Sequence, residues 1–444
     1  MLLLYLPLPP LALSVYNREA MRIRYLSLTN FRNYARLELA LPEQPLLLHG
    51  ANAQGKTSLL EAICLLATGS SPLTSLDRQL INWEAEAAGL PYARVWAEVV
   101  RRAPPLVGGA GGGDRVQELE IVLEKKPLVN GTARLQKTIR IDRVRKRRTD
   151  LAGRLNVVLF MPQDVDLVAG PPARRRRYLD DTLCQVDRAY CISLERYTEV
   201  LRQRNATLRH LRDEGGDPAQ LAPFEEVLAR EGVVIANGRR ELVAALSQRA
   251  DRIHQQLTGG AEWLRLEYRP NFDPAAPPAL KYQMGLGLRP YGGPPPGVGA
   301  EGLVAAFRQA LLARRPDEIL RGMTLTGPHR DEMRFVAGSP AQGTHEVDLT
   351  TYGSRGQQRT AVLALKLAEL EWMHERTGET PVLLLDEVLA ELDMARRRYL
   401  LAQVDSVEQA LLTATDPEMF SAEFRERAVL MEVRGGIVAE VAAG

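Results

Sequence analysis

The sequence predicts an α/β protein with a mixed sheet and an inserted α-helical lobe. Short, wholly apolar runs alternate with amphipathic segments, a pattern typical of strands buried under helices on both faces of a sheet. A long central stretch instead repeats its apolar residues at helical spacing. The apolar runs that we expect to be buried strands span 45–49, 156–160, 382–385 and 409–413.

The remaining segments predict where the sheet domain begins and where it is interrupted. Alternating apolar residues over 21–28 and 35–41 indicate strands with one buried face. Asn130-Gly131 favours a hairpin, and the Gly-rich residues 107–114 favour a surface loop. Further half-buried strands are expected at 92–101, 116–124 and 134–144, and long helices from about 172 to 258.

The 444 residues are enough for more than one domain. Residues 1–15 are apolar but interrupted by three prolines, so we expect Met21 to begin the fold and the preceding residues to be disordered or an artefact of start-site choice. The expected parts are an extension over 1–20, a first sheet part over 21–165, a helical lobe over 166–320 with a Pro/Gly-rich segment at 270–298, and a second sheet part over 321–444.

Composition excludes few functions. The net charge of +2, from 57 basic and 55 acidic residues, neither requires nor excludes nucleic acid. The three cysteines form no C-x-x-C pair, which favours simple thiols in a reducing cytoplasm over a metal site or disulfide. No stretch approaches transmembrane length, so we expect a cytoplasmic protein without a membrane partner.

A glycine loop between an apolar strand and a buried helix predicts a nucleoside triphosphate site. It fits G-x-x-x-x-G-K-[ST] at every fixed position. The glycines allow backbone N–H groups to surround phosphates at the positive end of the helix dipole. Lys56 would contact the β- and γ-phosphates, and the Thr57 hydroxyl would bind Mg²⁺. The loop comprises Gly50, Ala51, Asn52, Ala53, Gln54, Gly55, Lys56 and Thr57, followed by Ser58.

A second group of candidate residues ends the apolar strand 382–385. Asp386 would hold Mg²⁺, and Glu387 would orient and deprotonate the attacking water. Lys56 and Asp386 stand 330 residues apart, far more than one βαβ unit requires. We therefore expect a large insertion between two halves of one ATP and Mg²⁺ site.

Several further motifs resemble the ABC-type ATPases, specifically the DNA-repair branch with SMC-type heads. Ser354-x-Gly356-Gln357-Gln358 precedes the Asp386-Glu387 strand, and Ala390-Glu391-Leu392-Asp393 follows it. Within that branch the chain is similar to the RecF family from Met21 to about Val433. The segments that carry this similarity are 28–34, 161–164, 175–180 and 327–331.

The resemblance implies a dimer that encloses two ATP molecules. Ser354, Gly356 and Gln357 would then face the γ-phosphate held by the other copy, as suits a serine at a helix N-terminus. By the same resemblance Gln163 would sense Mg²⁺ and the γ-phosphate, and Asp393 would bridge the dimer. Near the nucleotide it places Asn30, Arg32 and Asn33. Thr413-Ala414-Thr415-Asp416 stands where many ABC ATPases carry a histidine, so hydrolysis is expected to be slow.

The resemblance also implies a role in DNA replication, repair and the SOS response. It predicts binding to single-stranded and gapped DNA, with RecO and RecR as partners that help to load a recombinase. Two basic clusters could contact DNA phosphates, although solvated or acid-paired arginines explain them equally well. They are Arg143, Arg145, Lys146, Arg147 and Arg148, and Arg174, Arg175, Arg176 and Arg177.

Two other functions fit the sequence less well. A nucleotide-binding subunit of a membrane transporter would carry a longer Leu-Ser-Gly-Gly-Gln signature and usually the histidine. An architectural SMC-type head would need heptads sustained over hundreds of residues, and these helices are far shorter. An ATP-controlled DNA clamp is therefore the favoured prediction.

Overall fold

A computed structural model describes residues 21–102, 114–127, 133–272, 299–339 and 345–440. The predicted extension 1–20, the Asn130-Gly131 turn, and most of the segments 107–114 and 270–298 lie outside these residues. In the described part of the chain, no helix combines the length and the apolar character needed to cross a membrane.

The strands of the described residues follow the predicted apolar runs. The runs at 156–160, 382–385 and 409–413 are confirmed as strands to within one residue at each end. The strands are β1 (Met21–Phe31), β2 (Tyr34–Ala40), β3 (Leu46–His49), β4 (Tyr92–Arg102), β5 (Asp114–Pro127), β6 (Ala133–Ile141), β7 (Val144–Lys146), β8 (Val157–Phe160), β9 (Trp263–Arg269), β10 (Glu332–Gly338), β11 (Glu346–Asp348), β12 (Val382–Asp386), β13 (Ala410–Ala414), β14 (Val429–Arg434) and β15 (Ile437–Glu440).

The helices include the two long ones expected from the central periodicity. The helices are α1 (Lys56–Thr68), α2 (Trp83–Ala87), α3 (Asp166–Ala169), α4 (Pro172–Val186), α5 (Arg188–Glu214), α6 (Ala222–Leu257), α7 (Ala300–Arg321), α8 (Leu349–Tyr352), α9 (Arg355–Thr377), α10 (Met394–Val404) and α11 (Ala422–Arg427). Gly215 ends α5 with a positive φ, and Gly259 and Gly260, which follow α6, also have positive φ values.

The chain forms two compact units. Among the described residues, the first unit lies within 21–163 and 369–440, and the second lies within 164–368. The second boundary therefore lies well beyond the residue 320 expected from sequence, inside α9. The reason is that β9, β10 and β11 form a small antiparallel sheet of their own, and β9 packs on α6.

The first unit contains two sheets with α1 between them. Its described strands form an antiparallel sheet in the order β2-β1-β4-β5-β6-β7 and a mixed sheet in the order β15-β14-β3-β13-β12-β8. In the mixed sheet, β15 is antiparallel to β14 and the other pairs are parallel. One apolar core contains Leu28 of β1, Leu65 of α1 and Leu384 of β12. The predicted α/β fold class with a mixed sheet and a helical insertion is confirmed.

One segment that was predicted to be a single strand forms two strands in the structure, β6 and β7. The expected strand 134–144 stops at Ile141, where Asp142 and Arg143 have φ values of 51° and 66°. A two-residue turn with both central residues in the left-handed region reverses the chain and starts β7. Part of the first basic cluster therefore lies on an edge strand.

Candidate functional site

The glycine loop joins β3 to α1 within the first unit. Gly50 has a φ of 143°, and a Cβ there would lie 2.4 Å from the Val433 carbonyl oxygen. Gly55 has a φ of 123°, and a Cβ there would lie 2.7 Å from Asn33 Nδ2. Ala53 between them is also left-handed, with a φ of 63°. Both glycines are required by the shape of the loop, which can turn its amides inward.

The start of α1 suits an anion. Gly55 is the N-cap and supplies no side chain to the first amides of the helix, and the first turn carries no acidic residue. These backbone N–H groups and the helix dipole favour a phosphate at this end. Ser58 lies in the same first turn. The loop and helix therefore have the form that a triphosphate requires.

Lys56 is held between the loop and a carboxylate. Its side chain is 3% exposed, and its ammonium donates hydrogen bonds to the carbonyls of Gly50 at 2.7 Å and Ala51 at 3.0 Å. Its Nζ also lies 3.1 Å from Glu387 Oε1. The cation predicted for the phosphates and the base predicted for hydrolysis are therefore neighbours, although they are 331 positions apart in the chain.

Asp386 ends β12 directly opposite the start of α1. The Thr57 hydroxyl lies 3.0 Å from each of its carboxylate oxygens, and Thr413 Oγ1 donates to Oδ1 at 2.8 Å. Burial raises the pKa of Asp386 above its usual range, and the hydrogen bonds from Thr413 and Thr57 counteract this. A hydroxyl and a carboxylate in contact form the oxygen pair that Mg²⁺ takes up beside phosphates.

Glu387 leaves the strand in an unusual conformation. Its φ is 51°, in the left-handed region, and its N–H donates to Thr413 Oγ1 at 3.0 Å. Strained non-glycine residues of this kind concentrate at functional sites. Thr413 thus binds the Asp386 carboxylate and the backbone of Glu387. Its role could not be predicted from its sequence position alone, since it depends on β13 lying beside β12.

The middle of the glycine loop is supported from two sides. The carbonyl of Gln54 accepts hydrogen bonds from Asn33 Nδ2 at 2.7 Å and from Gly436 N at 3.0 Å. Gly435 N donates to Gln54 Oε1 at 2.7 Å. The expected position of Asn33 beside the loop fits this contact. The supporting β14–β15 turn was not predicted; its Gly-Gly sequence signals a hairpin but not what the hairpin contacts.

Arg32 and Asn30 are oriented differently from Asn33. The Arg32 guanidinium forms two hydrogen bonds with Glu61 of α1, at 2.8 and 2.7 Å, and its NH1 donates to the Gln79 carbonyl at 3.1 Å. Asn30 is buried, and its carbonyl accepts from Asn82 N. In this structure Arg32 therefore braces α1 rather than the loop itself.

Gln163 follows β8, the strand that pairs in parallel with β12. Because the register places Phe160 beside Leu385, Gln163 comes after the same edge of the sheet at which Asp386 and Glu387 lie. Its Nε2 lies 3.2 Å from Met161 Sδ. The position is compatible with the predicted role at the metal, which stays a prediction.

The signature residues lie in the second unit, at the start of α9. Ser354 Oγ accepts from Gln357 N at 3.2 Å, and Gln357 Oε1 accepts from Ser354 N at 3.0 Å. This reciprocal capping box leaves Ser354 and Gly356 exposed. Asp393 of the first unit is also exposed and caps α10, and the N–H groups of Arg396 and Ala395, with the Arg396 guanidinium, hold its pKa below the usual range.

The first basic cluster is mostly exposed. Arg145, Lys146 and Arg147 are exposed along β7 and its end, and Arg148 is half-buried. Arg143 is exposed and forms an ion pair with Glu118 at 3.0 Å. This edge of the antiparallel sheet thus presents a positive surface.

The second basic cluster does not form one exposed group, and three of its arginines pair with acids, which is one of the alternatives that the sequence left open. Arg175 is buried: it forms an ion pair with Glu332 at 2.6 Å and donates to three carbonyls that precede α4. Arg176 is half-buried and donates to the Asp331 carbonyl. Arg174 and Arg177 keep exposed side chains beside Asp166 and Asp181. The reason is that α4 packs on α5 and β10, which buries one side of the helix.

The segments 175–180 and 327–331, which carry part of the family similarity, share one buried ion network in the second unit. Arg239 is 3% exposed and donates to both Asp180 oxygens at 2.9 and 2.8 Å and to the Pro328 carbonyl at 2.7 Å. Asp331 accepts from Tyr268 and from Asn271 N. His329 lies 2.7 Å from the Tyr197 hydroxyl, and burial lowers its pKa to about 4. These buried polar groups therefore find their partners within the unit, and His329 is neutral near pH 7.

The sequence is similar to known proteins over most of its length. Residues 22–437 match the RecF/RecN/SMC N terminal domain. The DNA replication and repair protein RecF of Chloroflexus aurantiacus is 43% identical over 418 residues, which cover 91% of this chain and 96% of that protein. RecF of Herpetosiphon aurantiacus is 40% identical over 425 residues, which cover 94% of this chain and 99% of that protein.

Structural comparison gives the same result. The solved structure of the recombination mediator protein RecF-ATP in the RecFOR pathway has a TM-score of 0.77 and 27% identity, covering 97% of this chain and all of that one. The corresponding RecF-ATPrS structure has a TM-score of 0.76 at the same identity. This chain therefore belongs to the RecF family of DNA replication and repair proteins.

Proposed function

We propose that this chain is an ATP-controlled DNA clamp, in which two copies close on two ATP molecules and slow hydrolysis releases them. The contact between Thr57 and Asp386, with Lys56 and Glu387 paired beside it, carries the proposal. These residues converge from two distant parts of the chain on one anion-binding helix end. The relatives' structures with ATP support the same ligand.

Each residue has a chemical role in this proposal. Lys56 would turn from the Gly50 and Ala51 carbonyls and the Glu387 carboxylate toward the β- and γ-phosphates, whose several negative oxygens attract the ammonium more strongly. Thr57 and Asp386 would hold Mg²⁺, with Gln163 beside them, and the ion would neutralise phosphate charge. Glu387 would take the proton of the attacking water. Thr413 binds the Asp386 carboxylate and the Glu387 backbone, and the lack of a histidine in Thr413-Ala414-Thr415-Asp416 supports slow turnover.

Two exposed elements would complete the site in trans. Ser354 and Gly356 stand at the N-terminal end of a 23-residue helix, where an anion is favoured. Asp393 is 52% exposed and held ionised by its capping bonds. Both would therefore be available to a second copy of the chain without rearrangement of a core.

The proposed action on DNA rests on the family to which the chain belongs. We propose binding to single-stranded gaps and junctions in duplex DNA, with RecO and RecR as partners in loading a recombinase during repair and the SOS response. The exposed residues Arg145, Lys146 and Arg147 offer phosphate contacts. The pathway named for the solved relatives supports these partners.

The mass in solution of Glu387→Gln, by light scattering with and without Mg²⁺-ATP, tests the clamp. This variant should bind ATP without hydrolysing it and should convert from monomer to dimer only with ATP. As a control, Glu423→Gln, which neutralises an exposed acid of α11, should hydrolyse ATP like the unmodified chain. A Glu387→Gln chain that binds ATP and stays monomeric would exclude the in-trans roles of Ser354 and Asp393.

A further inference from the structure

Ser354 to Gln357 form a turn at the start of α9, which we call the signature turn. A side-chain hydrogen bond joins this turn to the segment that follows α6, the longest described helix of the second unit. Gln357 Nε2 donates to Glu262 Oε1 at 2.8 Å, across 95 residues of sequence. Glu262 lies in the short connection between α6 and β9. No sequence motif contains Glu262, and none of the functions described above uses it.

This bond restrains the side-chain nitrogen of Gln357, which takes no part in the capping box. The Oε1 atom of Gln357 accepts from Ser354 N, so the side-chain amide of Gln357 is committed at its oxygen. Its nitrogen is committed to Glu262. Hydrogen bonds at both ends restrain the amide of Gln357, and through it the backbone N–H of Ser354. A hydrogen bond to a carboxylate is stronger than one between neutral groups.

Glu262 is itself held by the last turns of α6. Its N–H donates to Thr258 Oγ1 at 3.3 Å, and its Oε2 lies 3.4 Å from His254 Nε2. His254 is fully buried, and the Glu262 side chain is 26% exposed. The carboxylate therefore touches α6 with one oxygen and the signature turn with the other.

Through α6, this connection reaches the whole helical part of the second unit. α6 has 36 residues, so it is about 54 Å long. It packs on α4, α5, α7 and β9. A displacement of the C-terminal end of α6 would act on Glu262 and so on the turn that carries Ser354.

We propose that Glu262 is a positioning residue that sets the signature serine in the geometry needed by a second copy's γ-phosphate. The inference rests on the proposed ATP-dependent dimer and names how the helical lobe would regulate it. Glu262 touches neither nucleotide nor metal in this scheme, and it acts only through Gln357.

The test compares Glu262→Ala with Glu262→Gln, both in the full chain carrying Glu387→Gln. The alanine removes the acceptor, while the glutamine keeps a carbonyl oxygen for Gln357 Nε2. Two quantities are measured for each: the affinity of the monomer for a fluorescent ATP analogue, and the ATP-dependent dimerisation constant by light scattering. The matched control is Glu241→Ala, which removes an exposed acid of α6.

We expect Glu262→Ala to weaken dimerisation about 100-fold, because a symmetric dimer contains the contact twice and each is worth about tenfold. Its ATP affinity should be unchanged, since the phosphate loop lies in the other unit. Glu262→Gln and Glu241→Ala should dimerise within about threefold of the parent. In a Gln357→Ala background, Glu262→Ala should have no further effect.

Three results would overturn the inference. If Glu262→Ala dimerises like a parent that itself dimerises, the positioning role is wrong and the clamp is unaffected. If Glu262→Gln is as impaired as Glu262→Ala, the hydrogen bond to Gln357 is not the cause. If the parent binds ATP and stays monomeric, the proposed clamp fails and this inference fails with it.

Discussion

The phosphate loop and the buried ion network are both built from short charged motifs, yet they differ in where the charges point. At the loop, Lys56 and Glu387 face each other at the end of a sheet, and Glu387 is 31% exposed. In the network, Arg239 and Asp180 pair inside a helical unit, at 3% and 16% exposure. Two clusters of similar composition thus differ in exposure: the first is accessible, as the proposed phosphate site requires, and the second is enclosed.

The difference lies in what satisfies each charge. Asp180 is satisfied by Arg239 and by the Tyr190 hydroxyl, so the network needs no ligand. The amides at the start of α1 receive no side-chain cap, so the loop can accept an anion. A charged motif is therefore best assigned by the partners that its groups find in the fold.

The comparison predicts the largest effect for Arg239→Ala. Truncation leaves Asp180 and Asp331 without their buried cation, which should cost about 3–5 kcal/mol of unfolding free energy in the second unit. Hydrogen exchange read by mass spectrometry should show faster exchange in α4 and α6 and little change in α1. Arg202→Ala, an exposed arginine of α5 paired with Glu199, is the control. Unchanged protection of α4 would mean that the network does not stabilise the unit.

Lys56→Ala should have the opposite profile. Removing the cation that faces the phosphates should weaken ATP binding by about 3 kcal/mol, or roughly 100-fold. Hydrogen exchange in the second unit should not change. Titration with a fluorescent ATP analogue measures the first effect, and Lys126→Ala on the exposed side of β5 is the matched control. An unaltered affinity would refute the assignment of the loop as the phosphate site.

The smallest effect is expected from the exposed arginines. Within the cluster 174–177, we expect the exposed and the buried arginines to have different effects. Arg174→Ala with Arg177→Ala should lower the slope of DNA affinity against salt by about 0.9 for each duplex phosphate that the variant no longer neutralises. Arg145→Ala with Arg147→Ala, at the β7 edge, should do the same if that surface also binds DNA. Arg175→Ala should instead destabilise α4, because it breaks the Glu332 pair. Unaltered slopes in both double variants would place the DNA surface elsewhere.

The sequence predicted the features that depend on neighbouring residues or on a regular spacing of apolar residues. The glycine loop, the strands expected at 382–385 and 409–413, and the long helices expected from about 172 to 258 follow from φ requirements, apolar runs and helical spacing, which neighbouring residues determine. The strand 134–144 was wrong in one respect, because Asp142 and Arg143 took a left-handed turn that favours glycine and asparagine.

Long-range pairing decided the remainder. Thr413 fixes Asp386 because β13 lies beside β12, Gly435 and Gly436 support Gln54 because β14 lies beside β3, and Glu262 meets Gln357 across 95 residues. The burial of Arg175 likewise depends on β10. The sequence by itself determined the fold class, the phosphate loop and the positions of the two acids, since each can be recognised from short runs of neighbouring residues. Only the tertiary structure decided which charges are buried and paired, because that depends on segments that no local pattern connects.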